Sequence, residues 1–272
     1  MSSFLKTMAQ SSAARAAAVN ATFSAADLDH PAYLLRLNGF DLIAEIKNRS
    51  PAEGALASTD SDRASRASRY AAGGAAAISV LTEPDRFDGH LEHLKEVVAA
   101  VAEQELPVMR KDFLVDTVQI REAKAAGASG VLLIAAILSD DELGNMLDCA
   151  FDNDLFVLLE SFNETDLKRS AFMLQKAKIR EQAARTKFLI GVNSRNLQTL
   201  ALDPLRLERF GPLLPEGVVC VAESGQHKAA DAADVAAWGY EMALVGTALM
   251  RTKDPTTLID QMLVSGRSVA TP

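Results

Sequence analysis

Two cysteines in 272 residues are too few for a disulfide framework, and neither sits in a CxxC or Cys/His spacing that would hold a metal ion. Cys149 (LDCAF) and Cys220 (VVCVAE) lie in apolar stretches, so both are expected as buried structural thiols of a reducing compartment. There is no Lys/Arg-rich run with interleaved aromatics and the formal net charge is -8, which argues against nucleic acid as a partner. No stretch approaches the roughly 18 apolar residues of a membrane span. The N-terminus, MSSFLKTMAQSSAARAAA, lacks the continuous apolar core of a secretory signal. The expectations are therefore no nucleic acid, no membrane and a cytoplasmic location. A GxGxxG after the first strand is missing too, and with it the usual mark of a dinucleotide-binding fold. Among four histidines, His90 and His93 are spaced i, i+3 but read better as a solvated helix start, so no metal and no cofactor is expected.

What is present is apolar and periodic. The chain is 49% hydrophobic and 24% charged, enough for a sizeable core, and its length suits a (β/α)8 barrel, which needs about 250 residues. Length alone also admits two small domains. From residue 41 one phrase repeats: a short apolar run, a polar or glycine-containing turn, then an amphipathic segment. The runs that read as strands are Leu42–Ile46, Ala77–Leu81, Pro107–Lys111, Gly130–Ile134, Phe156–Glu160, Leu189–Val192, Val218–Ala222 and Met242–Val245. Helical periodicity marks Thr117–Ala126, Asp140–Cys149 and a long connection, Glu164–Arg185. AAGGAAAISV, AAGASGVLLI and AAWGYEMALV each put glycine at a helix end just before an apolar run, where a left-handed residue is wanted. Eight evenly spaced units favour closure over an open sheet. The predicted class is α/β, a single TIM barrel over residues 41–265, preceded by a helical extension over 1–40 with a helix at Phe4–Val19 that caps the barrel's bottom or flanks its mouth.

In such a barrel the active site lies at the carboxyl ends of the strands. Ionisable residues gather there: Glu45 and Lys47 after strand one, Arg110, Lys111 and Asp112 after strand three, Glu160 after strand five, Asn193 and Arg195 after strand six, Glu223 and Ser224 after strand seven. A charge beside an apolar strand costs several kcal/mol if buried without a partner, so its recurrence at one end needs a reason. One reason is a ring of salt bridges closing the barrel top, and Arg110 and Asp112 fit that reading as well as a chemical one. Lys47, Lys111 and Glu160 fit chemistry better, because strand alternation directs them into the mouth. ESG (Glu223–Gly225) and VGTALM (Val245–Met250) end consecutive strands in small residues, which lets main-chain N–H groups approach an anion.

These phrases, in order, resemble the indole-3-glycerol phosphate synthase family: AEIKNRSP (Ala44–Pro51), ISVLTEPDRFDG (Ile78–Gly89), PVMRKDFLVDTVQIREAKAAGASGVLLIAA (Pro107–Ala136), LLESFNETDL (Leu158–Leu167), IGVNSRNL (Ile190–Leu197), VAESG (Val221–Gly225) and ALVGTALMR (Ala243–Arg251). The resemblance implies a carboxy-lyase of tryptophan biosynthesis that closes a pyrrole ring on a phosphorylated substrate with loss of carbon dioxide and water. It implies Lys111 as the acid at the ketone, Lys47 on the substrate's carboxylate, and Glu160 stabilising the cationic intermediate and moving protons. Glu45 and Asn193 would orient these groups, and Phe113 would pack on the aromatic ring. Ser50, Ser224, Gly225, Gly246 and Thr247 would hold the phosphate, with Arg195 and Glu223 taking part. Two lysines among several carboxylates are expected to perturb one another's pKa values and so bring a lysine acid toward neutrality.

The chain departs from the family pattern in ESF (Glu160–Phe162) where the family has an EVH-like phrase, in a longer connection before strand six, and in GQHK after ESG; none removes a proposed catalytic residue. The expected partner is a phosphorylated small molecule, and the expected state a monomer or weak homodimer, with association with other tryptophan-pathway enzymes left open. Two other readings stand beside this one. A phosphate-binding barrel isomerase or epimerase would need paired carboxylates or a metal rather than two strand-end lysines, and a catalytically silent paralogue would bind a related phosphate without turnover.

Overall fold

Strands covered on both faces are continuous apolar runs, and here those runs close a barrel. The computed structural model describes residues 3–19, 22–51, 54–56, 62–196, 199 and 201–269. Its strands are β1 (Asp41–Ile46), β2 (Ala77–Leu81), β3 (Val108–Lys111), β4 (Gly130–Ile134), β5 (Phe156–Ser161), β6 (Phe188–Asn193), β7 (Val219–Glu223) and β8 (Met242–Val245). They pair in parallel in the order β1-β8-β7-β6-β5-β4-β3-β2 and close on themselves, with Ile43 registered against Leu244 on one side and Ala77 on the other. Every strand residue is buried except Lys111, which is half-buried at the end of β3. Five strands end where expected, and β5, β6 and β7 each run one residue further, so Asn193 and Glu223 terminate β6 and β7 rather than follow them. Leu197, the last residue of the IGVNSRNL phrase, lies outside the described residues.

The main helices are α1 (Ser3–Ala17), α2 (Arg63–Ala72), α3 (Leu91–Ala100), α4 (Thr117–Ala125), α5 (Asp140–Asp152), α6 (Glu164–Met173), α7 (Ala177–Ala184), α8 (Arg206–Phe210), α9 (Ala229–Ala237), α10 (Thr247–Arg251) and α11 (Pro255–Val269). Side chains cap the amide ends of several: Asp116 and Ser139 form capping boxes with Gln119 and Glu142, and Asn163 accepts from Asp166 N–H. The His90 ring likewise accepts from Glu92 N–H at the start of α3, as a helix start would use it. The recurrent glycine joint is real: Gly74, Gly127 and Gly239 have φ of 89°, 85° and 94°. Among the described residues, no helix is long and apolar enough to cross a membrane.

Two expectations need correction, and one element was not expected. The connection after β5 is two helices, α6 and α7, because the chain turns at Leu174–Lys176 and Arg180 donates to the freed carbonyls of Leu174 and Gln175 at 3.0 and 2.8 Å. Cys149 is half-buried, since the face that α5 turns inward is Leu143, Met146, Leu147, Ala150 and Phe151; Cys220 in β7 is buried, and desolvation pushes its thiol up to about 12. A two-residue antiparallel ladder, Arg49–Ser50 with Gly54–Ala55, folds the segment after β1 and is too short for periodicity to announce.

The N-terminal extension serves both ends. Helix α1 flanks the mouth: Arg15 reaches Asp112 at 2.6 Å and Glu83 at 3.5 Å, and Gln119 Nε2 donates to Ser12 Oγ at 2.8 Å. The chain then passes beneath, where Tyr33 N–H donates to Ser129 Oγ and Arg267 of α11 ties down Phe40 O and Asp41. Phe40 is fully buried there, and a Cβ on Gly266 of α11 would stand 2.6 Å from its Cγ. Helix propensity alone would make Gly266→Ala stabilising by about 1 kcal/mol, whereas overpacking costs about 1–3 kcal/mol. A lower urea midpoint with an unchanged slope is the expected outcome, and a raised midpoint would show that Phe40 yields freely.

Candidate active site

Residues two apart on a strand share a face, so Glu45 and Lys47 point the same way at the end of β1 while Arg110 and Lys111 at the end of β3 point oppositely. Arg110 turns toward the helices, where it donates to Gln119 O and Glu122 of α4, each at 2.9 Å, and to Thr82. Asp112 accepts from Arg15, Thr82 Oγ and its neighbour's N–H at Phe113. These two residues form the salt-bridged frame of the mouth, and Lys111 is left to face the barrel axis.

There its ammonium meets carboxylates from three other strands: Glu223 at 3.4 Å, Glu160 at 3.6 Å and Glu45 at 4.0 Å. Lys47 lies 2.7 Å from Glu45. Asn193 Nδ2 donates to Glu160 Oε1 at 2.7 Å, and Arg195 N–H donates to Asn193 Oδ1 at 2.9 Å, which fixes the amide's orientation. Arg206 holds this corner from behind, donating through Nη1 to the carbonyls of Phe162, Asn193 and Arg195.

The charges set one another. Burial by itself would raise Glu45, but Lys47, Lys111 and Arg195 outweigh it and hold the carboxyl below the ordinary carboxylate range. Burial opposes the Lys111 ammonium, yet Glu160, Glu223 and Glu45 together hold it above the ordinary lysine value. Burial and then the neighbouring Glu160 charge push Glu223 well up. The mutual perturbation expected of the cluster is present, but for Lys111 its direction is corrected: the lysine moves away from neutrality. The balance explains why. Two ammonium groups face three carboxylates, and a proton on Glu223 leaves these five groups neutral.

Two glycines make this packing feasible. A Cβ on Gly191, in the middle of β6, would run into Glu223 Oε1, and one on Gly246 would run into Glu45 Oε1 and lie 2.9 Å from Lys47 Nζ. Glycine inside a strand marks close approach by another group, so Gly191 carried a signal that the reading of strand ends passed over. Gly246 has a purpose besides the expected phosphate contact.

All thirteen proposed site residues border one cavity of about 1020 Å3 that opens to solvent. On one side stands an apolar wall: Phe113 packs edge-on to Phe4 at 6.0 Å and against Phe87 at 6.3 Å, with Leu132, Ile134 and Phe162 beside them. Phe87 lay within the quoted ISVLTEPDRFDG phrase, but nothing in the sequence brought Phe4 of α1 to the mouth. On the other side, Ser50, Ser224, Gly225, Gly246 and Thr247 meet, and Ser224 and Gly225 are both left-handed, with φ of 67° and 98°.

Fold and mouth together define a (β/α)8-barrel enzyme. Solved structures agree on the fold alone: 3-hexulose-6-phosphate synthase from Salmonella typhimurium superposes with a TM-score of 0.63 at 14% identity over 85% of this chain and all of that one. Orotidine 5'-phosphate decarboxylase from Pyrococcus horikoshii does so at 0.55 and 14%, over 83% and 99%. The family model for indole-3-glycerol phosphate synthase matches residues 5–262. A protein of that name from a Nocardioides species is 43% identical over 240 residues, covering 87% of this chain and 86% of its own; another from Rhodococcus opacus is 39% identical over 258, covering 94% and 90%. The chain belongs to the indole-3-glycerol phosphate synthase family, whose members are decarboxylating lyases.

Two predictions follow the geometry. Because the folded Lys111 value is raised, its stabilisation is complete below the ordinary 10.5 and lost only as pH rises through the folded value, so it is constant from pH 5.5 to 8. In Lys111→Met the carboxyls that faced that charge lose the cation that held them down, so the folded chain takes up protons at higher pH than the unfolded chain, which titrates at about 4.3. The variant should therefore be destabilised by about 3–5 kcal/mol at pH 8 and visibly less at pH 5.5; equal losses at both would count against an ionised cluster. Gly191→Ala, which displaces Glu223, should lower kcat on the order of tenfold, since small misplacements of reacting groups are costly; an unchanged kcat would show that Glu223 has room to spare.

Proposed function

We propose that this chain converts 1-(2-carboxyphenylamino)-1-deoxyribulose 5-phosphate to indole-3-glycerol phosphate, with the residues of the mouth acting as follows. The ring carbon bearing the carboxylate attacks the ketone, and Lys111, held protonated by its three carboxylates, gives a proton to the oxygen as the bond forms. The ring nitrogen then carries positive charge, which Glu160 stabilises from within the same pocket. Lys47 binds the substrate carboxylate. Loss of carbon dioxide returns the bonding pair to the ring and restores aromaticity. Dehydration follows: the new hydroxyl leaves as water with a proton from the site, and the adjacent methylene carbon loses a proton to Glu160. Asn193 holds Glu160 in place, and Glu45 holds Lys47.

The aromatic ring packs on Phe113 and its apolar neighbours. The phosphate lies at the opposite side against Ser50, Ser224, Gly225, Gly246 and Thr247, with Arg195 contributing charge. A net acidic chain meets an anionic substrate here through local main-chain N–H groups and basic side chains, not through its overall field. We take the active unit as a monomer or weak homodimer, because the whole charge cluster comes from one chain, and its location as cytoplasmic, where phosphorylated intermediates are retained.

The observation that carries the reading is the single ammonium of Lys111 within 4.0 Å of carboxylates from β1, β5 and β7, at the strand ends where this fold does its chemistry. The test is turnover: purified protein given the carboxyphenylamino substrate should develop indole fluorescence and restore growth to a tryptophan auxotroph lacking this step. Lys111→Ala and Glu160→Gln should each remove the activity by at least about a hundredfold, the scale of general acid–base catalysis. Tight binding without product would establish a silent paralogue instead, and growth undiminished by Lys111→Ala would reject that acid.

A further inference from the structure

Gln226 is a polar side chain in the mouth to which the reaction gives no task. It follows the ESG phrase, in the GQHK stretch where the chain departs from its family pattern, and is 5% exposed. Its Nε2 donates to Ser224 O at 2.9 Å, while its Oε1 is buried without a partner. The same carbonyl accepts from Ser194 Oγ at 2.8 Å. This fixes the amide's orientation, because an Oε1 turned toward Ser224 O would set two acceptors against each other. An orphaned buried carbonyl weighs against folding, and an aliphatic side chain of similar size would avoid it, so a compensating gain is called for.

The gain lies in what the carbonyl controls. Ser224 is a non-glycine residue in the left-handed region and Gly225 follows it there, a conformation that needs outside support at the first position. The Ser224 carbonyl and the Gly225 N–H belong to one trans peptide and point in opposite directions, so pinning the first aims the second. Among the described residues the main-chain N–H groups of Ser224, Gly225 and Gln226 have no acceptor. All three residues border the cavity beside Gly246 and Thr247.

We propose that Gln226 is a positioning residue for the substrate's phosphate, which together with Ser194 clamps the Ser224 carbonyl and so presents the Gly225 N–H to the anion. The proposal rests on the reading of this side of the mouth as the phosphate site. It differs from a packing role in one respect: removing the amide should help folding and harm binding.

The experiment uses the whole chain and its Gln226→Leu and Gln226→Met variants, comparing the melting temperature, kcat, KM for the phosphorylated substrate and inhibition by inorganic phosphate. The expected result is a melting temperature equal to or above that of the parent, kcat within about twofold, and KM and the phosphate inhibition constant both raised about tenfold, the size of one hydrogen bond to a charged group. Ser194→Ala should raise the same two constants, and combining it with Gln226→Leu should give less than the product of the two effects, since both act on one carbonyl. Variants that keep the parent's KM and phosphate inhibition overturn the proposal, as does a fall in melting temperature accompanied by equal losses in kcat and binding. A parent enzyme indifferent to phosphate, and equally active on the dephosphorylated substrate, overturns the phosphate reading itself and the proposal with it.

Discussion

Lys111 carries a full charge where little water reaches it, with 14% of its side chain exposed, and this is tolerable only because carboxylates from β1, β5 and β7 surround it. The dependence is mutual. Glu223 is completely buried and Glu45 nearly so; the lysines hold Glu45 down against its burial, whereas at Glu223 burial and the Glu160 charge prevail and push the carboxyl up. The cluster therefore drives its members' proton affinities apart, Glu45 down and Lys111 and Glu223 up.

The surrounding structure is arranged to keep that cluster close. Gly191 and Gly246 leave out the side chains that would separate the charged groups, at the cost of two strand-level positions that pack nothing. Arg110, Asp112, Thr82 and Arg15 bind the end of β3 to β2, α4 and α1, so the residue on either side of Lys111 is committed to the frame. Arg206 does the same for Asn193 and Arg195. The apolar wall and the left-handed turn at Ser224–Gly225 then stand on opposite sides of the charges, as the proposed placing of an aromatic acid at one end and a phosphate at the other requires.

The barrel was legible because burial on both faces writes itself into composition: eight apolar runs, each preceded by its own helix and often by a glycine that must be left-handed, have few alternative packings. Strand-end chemistry was legible for the same reason, since Lys111 and Glu160 interrupt runs in which a charge is conspicuous. Less was legible where contact joins distant segments through ordinary residues. Phe4 is an unremarkable helix residue until α1 lies across the mouth, and Arg15 and Arg206 look like surface charges until their partners are known. The break between α6 and α7 escaped the pattern because helical periodicity continues through it and neither glycine nor proline marks the turn.

The sequence by itself determined the class of fold and the charged residues at the strand ends, because these follow from period, spacing and the cost of putting charge beside an apolar strand, and its ordered phrases carried the resemblance to the family. Only the tertiary structure decided which of those side chains touch, which oxygen is left over, and that Lys111 is driven up rather than down. Ionisation in a buried site is governed by distances of a few ångströms between groups from different strands, and no local pattern in the chain encodes those distances.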